Sequence, residues 1–349
     1  MPARPKGLAS VKHVFGWESR HDRELAGAIQ PLADIGVVLS AATRDMDRSH
    51  QGPKGEAWYP YVREWAGWCQ RLTGAYLQYA VITEGDLTPA GLRRYALVIL
   101  PDTTCMSGAA CRAVVDYVAG GGALIFTRDA GLYDETGRRD SRTERRLDAL
   151  GAEIAAAARQ RLASGNPTVR FGRHGRGKWA YFANRPGRIV FSEYNRLGAP
   201  RIRNVPEMTG VPGDTVRLHE ALMMEAVRWA AGESRPLAVR QAPPGLLIKA
   251  FGRPAGRPRA VRIHLLNVRG LSAKAGDRIP ARSPVTYPPQ TEALVLDAAI
   301  RAVRQAYVIS PDWPGRKPAG IRRLGGVCRV TIPKHTLKRY AVLCLDCGR

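Results

Sequence analysis

Lysine is scarce in this sequence: of 54 basic residues, 9 are lysine and 45 are arginine. Against 30 acidic residues this leaves a formal charge of +24, and such an excess ordinarily suggests phosphate contacts through counterion release. The arginines are scattered over the whole length, however, and no helix-turn-helix, zinc-finger or RNP pattern accompanies them. A solvated basic surface is the expectation, and nucleic acid is not the expected partner. Long apolar runs are also missing, so nothing approaches the roughly 18 residues of a membrane helix. The opening "MPARPKGLASVKHVFGW" lacks the apolar core and small-residue cleavage site of a signal peptide. The expected location is the cytoplasm.

Cysteines are few and mostly solitary. Cys69, Cys105, Cys111 and Cys328 sit on or beside apolar segments, as buried thiols do. Cys344 and Cys347 form one C-x-x-C with no second pair, and Cys344 continues a strand-like run rather than opening a helix. No metal and no cofactor is expected. Histidine is sparse as well, and the first hundred residues of the strand-and-helix region hold only His50.

What is present is rhythm. Residues 9–30 read as an amphipathic helix with Val11, Val14, Phe15, Leu25 and Ile29 as its apolar positions. "IGVVLS" has strand length, and Tyr61, Trp65, Trp68 and Leu72 follow at spacings of one helix face. "YLQYAVIT" is a second strand; Thr88 then caps a short helix with Pro89 at its first position. "ALVILP" is apolar throughout, as parallel strands are. Ser107 caps a helix whose inner stripe is Ala110, Val114, Val115 and Val118, and Gly120–Gly122 stop it before "ALIFT". This β-α alternation predicts an α/β fold with a doubly wound parallel sheet. Further on, "KWAYFA" and "RIVFSE" read as hairpin-like strands, and "LHEALMMEAVRWAAG" as a helix with Leu218, Leu222, Ala226 and Trp229 on one side. After "GESRPLAVRQAPPG", short strands between Gly and Pro turns predict a small antiparallel β domain.

Open parallel sheets bind ligands at the carboxyl ends of their strands. The loops "AATRDMDRS", "PDTTCMS" and "TRDAGLYDETGRR" meet there, bringing Arg44, Asp45, Asp102, Cys105, Arg128, Asp129, Tyr133, Asp134, Glu135 and Arg139 as candidates for a ligand or interface site. Such a set suits a sugar or a neighbouring protein, or a solvated cluster of compensating charges. Nucleophilic catalysis fails on inventory. An elbow nucleophile needs a following helix and a nearby base, whereas Thr127 and Arg128 stand at the elbow and Cys105 has no evident histidine partner. "GRHGRGKW" misses the hydroxyl of a phosphate loop and precedes a strand, so a β-turn is expected. Glu193, Glu220 and Asp134 are acids with nothing to pair them for glycoside hydrolysis, and His219 reads as a surface or capping residue.

Taken in order, "IGVVLSAATRD", the block from "WYPYVREWAGW" to "VVDYVAGGGALIFT", and "GLYDETGRR" resemble the β-galactosidase trimerisation domain, a glutamine-amidotransferase-like module. "EAVRWAAG", "APPG", "VRIHLLNVRG" and "VTIPKHTLKRYAVLCL" resemble the end of that module and the β domain behind it, as in family forty-two glycoside hydrolases. The resemblance covers residues 35–349. It implies a flavodoxin-like, class I amidotransferase-like fold without amidotransferase chemistry, and contacts between subunits. It also implies a helix like the last one of a catalytic barrel at residues 9–30, with no barrel before residue 35 and hence no catalytic residue to carry over. The expected organisation is an N-terminal helix at 1–33, the trimerisation module at 34–235 and an antiparallel β domain at 236–349. The expected role is a non-catalytic oligomerisation or accessory module in carbohydrate metabolism, forming a homo-oligomer (a trimer by resemblance) or joining a barrel-containing polypeptide. The competing expectations are a glycoside hydrolase using Asp134 and Glu135, and a basic nucleic-acid-binding protein.

Overall fold

The computed structural model describes residues 5–26, 30–46, 59–139, 147, 150, 169–196, 213–232, 235–243, 245–252, 260–267, 290, 292–300 and 303–347. His50, Ile29 and the helix expected shortly after residue 140 lie outside the described residues, apart from isolated positions.

The first sheet comes from short apolar runs buried on both faces. β2 (Ile35–Val38), β4 (Leu97–Leu100) and β5 (Ala123–Thr127) are buried at every position, which is what helices on both sides of a parallel sheet require. With β3 (Tyr79–Ile82), β6 (Val169–His174) and β7 (Gly177–Phe182) they form the order β3-β2-β4-β5-β7-β6, parallel except at the β6 edge. One face is covered by α5 (Pro89–Leu92) and α6 (Gly108–Ala119), whose Leu92, Ala110, Val114 and Val118 pack on Val98, Leu124 and Phe126. The other is covered by α4 (Tyr59–Gly74), α7 (Pro186–Arg196) and α8 (Gly213–Ala231), which bring Trp68, Leu72, Val190, Met223 and Val227 onto Ile35, Ile99 and Ile125. α3 (Ala41–Met46) leaves the end of β2.

Three local readings change. "RIVFSE" lies in α7, because Pro186 at its first position and the close seat against α4 favour a helix over a strand pairing. The hairpin is β6–β7 instead, turning through "GRHGRGKW" at Gly175, φ +56. On α8 the buried face is Val216, His219, Met223, Ala226, Val227 and Ala230, while Leu218 is 45% exposed. Of the four residues expected on that face, Ala226 is buried and Leu222 and Trp229 pack at its edge, so Leu218 alone is displaced.

The antiparallel part has two facing sheets. One holds β1 (Gln30–Pro31), β9 (Leu246–Gly252), β10 (Ala260–Asn267), β16 (Tyr340–Cys347), β12 (Val303–Ile309) and β13 (Lys317–Pro318). The other holds β14 (Gly320–Leu324), β15 (Val327–Ile332), β11 (Leu294–Ala298) and β8 (Leu237–Gln241). Ile248, Ile263, Leu296, Val330 and Leu343 fill the space between them.

The N-terminal segment is not one helix. α1 (Pro5–Arg20) is followed by a four-residue α2 (Asp22–Leu25), and β1 then pairs with β9. Its partner is the antiparallel sheet: Trp17, 4% exposed, packs on Tyr307, Ile309, Val342 and Cys344, with Leu25 and Tyr340 at the margin. The apolar positions expected to carry the packing face outward, Val11 at 51%, Val14 at 44% and Phe15 at 64% exposure. No helix among the described residues is long and apolar enough to cross a membrane.

Candidate functional site

The strand order reverses between β2 and β4, and the crevice outside their carboxyl ends is where such sheets take ligands. Here the protein's own side chains fill it. Ser40 Oγ receives Thr43 N–H at 2.9 Å, capping α3, and donates to Glu84 Oε1 at 2.6 Å. Glu84 Oε1 also accepts the Ala42 N–H at 2.9 Å, so a carboxylate of this chain sits where a helix N-terminus would hold a phosphate. Thr43 Oγ1, fully buried, accepts the Cys105 N–H at 3.0 Å and so ties the first loop to the second. The buried Tyr61 hydroxyl accepts from Ser40 N, and burial raises its pKa.

Two non-glycine residues adopt left-handed backbone at the strand ends: Asp102 at φ +45 after β4, and Arg128 at φ +51 after β5. That is the conformation of an elbow, but Arg128 is followed by turns and not by a helix. Its guanidinium pairs with Asp129 at 3.1 Å. Asp102 is fully buried; its carboxylate holds Arg185 and receives the Asp129 N–H at 3.4 Å, while its own N–H goes to Thr127 Oγ1 at 2.8 Å. Cys105 is also fully buried, bridged through its backbone to Tyr133. Its thiol is closed off from solvent.

Behind Asp102 lies a second buried carboxylate, Glu64 of α4. Its Oε1 accepts Trp68 Nε1 and its Oε2 accepts Arg188 N, both at 2.9 Å, so it caps the first turn of α7. The seat is tight: a Cβ on Gly67 would lie 1.9 Å from the Gly187 carbonyl oxygen. Burial, with the charge of Asp102 adding to it, pushes the Glu64 carboxyl up to about 7. On the same side His219 is fully buried, Nδ1 at 2.7 Å from Thr215 O and Nε2 at 2.8 Å from Asn184; burial lowers its pKa. The expectation of a surface histidine is corrected accordingly.

The structure thus joins Asp102, Cys105, Arg128, Asp129 and Tyr133 in one loop cluster. Arg44 and Asp45 pair with each other at 2.6 Å on the surface, each about half exposed. Asp134 spends one oxygen on its own turn, accepting Thr136 Oγ1 at 2.7 Å, Thr136 N at 2.8 Å and Arg138 N at 3.0 Å. Those bonds hold its carboxyl below the usual range, the reverse of what a general acid needs. Glu135 and Arg139 are exposed further along the loop. Sequence reasoning missed Ser40, Thr43, Glu84, Glu64, Arg185 and the buried His219. The one available signal was the i,i+4 spacing of Glu64 and Trp68 on a helix face. Among the described residues, no group of three or more His, Cys, Asp or Glu could hold a metal ion.

The loops and strands of this crevice fall within one stretch of sequence with a known pattern. Residues 33–143 match the family model of the β-galactosidase trimerisation domain. The matched segment runs from the entry to β2 through β5 and the Tyr133–Arg139 loop, so it holds Arg44, Asp45, Asp102, Cys105, Arg128, Asp129, Tyr133, Asp134, Glu135 and Arg139, while Arg185 and His219 lie beyond it. Likeness of fold extends beyond the segment. The crystal structure of the β-galactosidase from Bacillus circulans sp. alkalophilus is similar over 90% of this chain and 42% of its own, at 12% identity and TM-score 0.51. The α-L-fucosidase isoenzyme 2 from Paenibacillus thiaminolyticus is similar over 96% of this chain and 51% of its own, at 14% identity and TM-score 0.56. The chain therefore spans about half the length of these solved structures or less. No curated protein sequence matches it.

Proposed function

We propose that this chain serves as a non-catalytic oligomerisation or accessory module of a β-galactosidase-like glycoside hydrolase. In this reading residues 34–235 form a flavodoxin-like, class I amidotransferase-like assembly unit. Residues 236–349 form its companion β domain, and residues 1–33 form the helical lead-in. The observation that carries it is the match of residues 33–143 to the trimerisation domain. Two features of the molecule support it. The switch-point crevice is filled by Glu84, Thr43 and Tyr61, leaving the loop "TRDAGLYDETGRR" as a contact surface in which Tyr133, Asp134 and Arg139 are the residues to test first. Val11, Val14 and Phe15 form an exposed apolar stripe on α1, the kind of face a helix keeps for a folded neighbour.

The partner is a further copy of this chain, as a cytoplasmic homotrimer, or a polypeptide carrying a glycoside-hydrolase barrel. Sedimentation velocity across a hundredfold concentration range reads the first, and co-elution with a separately expressed barrel reads the second. A chain that stays monomeric throughout and binds no barrel defeats the proposal. Phe15→Ser should weaken barrel capture while leaving the melting temperature unchanged, since that side chain is 64% exposed.

A further inference from the structure

Away from the crevice, the bend between α1 and α2 stands off the outer face of the antiparallel sheet and leaves a cavity of about 650 Å³. That volume falls within the range of small-molecule sites. Its sheet side is fixed by two ion pairs. Arg262, only 7% exposed, holds Asp346 Oδ1 at 2.8 Å and also donates to the carbonyls of Glu24, Val261 and Leu345. Arg316 holds Glu24 Oε1 at 2.8 Å and lays its guanidinium over Tyr307, Cζ 4.5 Å from the ring centre. The hydrogen bond from Arg316 holds the Glu24 carboxyl below its usual range, so its oxygens stay ionised acceptors.

The helical side is different. Arg20 and Arg23 are exposed, line the cavity, and pair with no carboxylate among the described residues; Asp22 stands between them in sequence. The lining counts four guanidinium groups against three carboxylates, with two of the three already engaged. Two planar donor forks are therefore left open beside Glu24 and Asp346, whose carboxylates their ion pairs hold in place, and the exposed Asp22. Forks of that kind recognise carboxylate and phosphate groups. Carboxylates beside them suit hydroxyl donors and repel a bare anion. A neutral sugar would leave the forks unanswered, and inorganic phosphate would leave the acceptors unanswered.

We propose that this cavity binds an acidic monosaccharide, its anionic group held by Arg20 and Arg23 and its hydroxyls by Asp22, Glu24 and Asp346. The shared chemistry is an anion on a polyol, supplied by a uronate or by a sugar phosphate. The site uses neither Val11, Val14 and Phe15 nor the Tyr133–Arg139 loop, so its success or failure leaves the oligomerisation reading untouched.

Titration calorimetry on the full chain, with galacturonate, galactose 6-phosphate, galactose and inorganic phosphate as separate probes, tests it. At least one acidic sugar should bind ten times more tightly than either galactose or phosphate, and which one binds identifies the anionic group. Arg20→Gln and Arg23→Gln should each weaken that binding about tenfold, as loss of one charge-assisted contact does. Both side chains are exposed, so the melting temperature should not move. Equal affinity for galactose or for phosphate, indifference to both substitutions, or no heat with any probe overturns the proposal.

Discussion

Replacing Glu64 with glutamine should stabilise the protein above neutral pH and leave it almost unchanged at pH 5. Glu64 is fully buried between α4 and α7, and burial pushes its carboxyl from the ordinary 4.5 up to about 7. Below 4.5 both the folded and the unfolded chain hold the proton and nothing is lost. Between 4.5 and 7 the folded chain keeps a proton that the unfolded chain releases, so stability falls as pH rises. That displacement corresponds to roughly 3 kcal/mol, reached fully above pH 7. Glutamine removes that penalty but accepts only one of the two donors, Trp68 Nε1 and Arg188 N, at a cost of about 1 kcal/mol. The variant should therefore be more stable than the parent by about 2 kcal/mol at pH 8, the gap closing towards pH 5. Urea unfolding of both proteins at pH 5, 6, 7 and 8, followed by tryptophan fluorescence, measures it. His219 and His264, whose pKa values burial lowers, act in the opposite direction, but they are present in both proteins and cancel in the difference. A difference that is flat with pH, or that turns against the variant as pH rises, refutes the reasoning. It would mean that the Arg63, Arg185 and Arg188 guanidinium groups outweigh burial at this carboxylate.

Two further outcomes follow from packing. Gly187→Ala places a methyl group 2.1 Å from the Glu64 carbonyl oxygen; it should force α7 off α4 and cost about 2–3 kcal/mol in urea unfolding. Trp17→Ala removes a fully seated side chain of α1 from the sheet. Limited proteolysis should then cut within residues 5–26 well before the rest of the chain unfolds, and simultaneous cleavage elsewhere would count against the account.

The parallel sheet was legible because its signals are local. Apolar runs of four or five residues, Thr88 and Ser107 at helix starts and Gly120–Gly122 at a helix stop each declare themselves within one turn of chain. What periodicity could not supply was the identity of a helix's neighbour. Val11, Val14 and Phe15 gave a clean stripe, yet the sheet took Trp17, because docking is decided by Tyr307 and Val342 some 300 residues away. The crevice shows the same divide. Arg128 at the elbow was readable as the absence of a nucleophile. Glu84 reaches Ser40, Glu64 reaches Arg188 and Arg185 reaches Asp102 across long stretches of chain, so spacing carries no trace of these contacts.

The seat of Trp17 also bears on how the chain is made. β1 and α1 belong by contact to the antiparallel layers, while residues 35–231 lie between them and the rest of those layers, so the parallel sheet is in effect an insertion. On a ribosome the parallel sheet can close as soon as β7 and α8 have emerged. α1 must wait for β12 and β16, which are synthesised long after it. Until then its tryptophan and its outward apolar stripe are both uncovered, which makes this segment the one with most need of a chaperone or an early partner during synthesis.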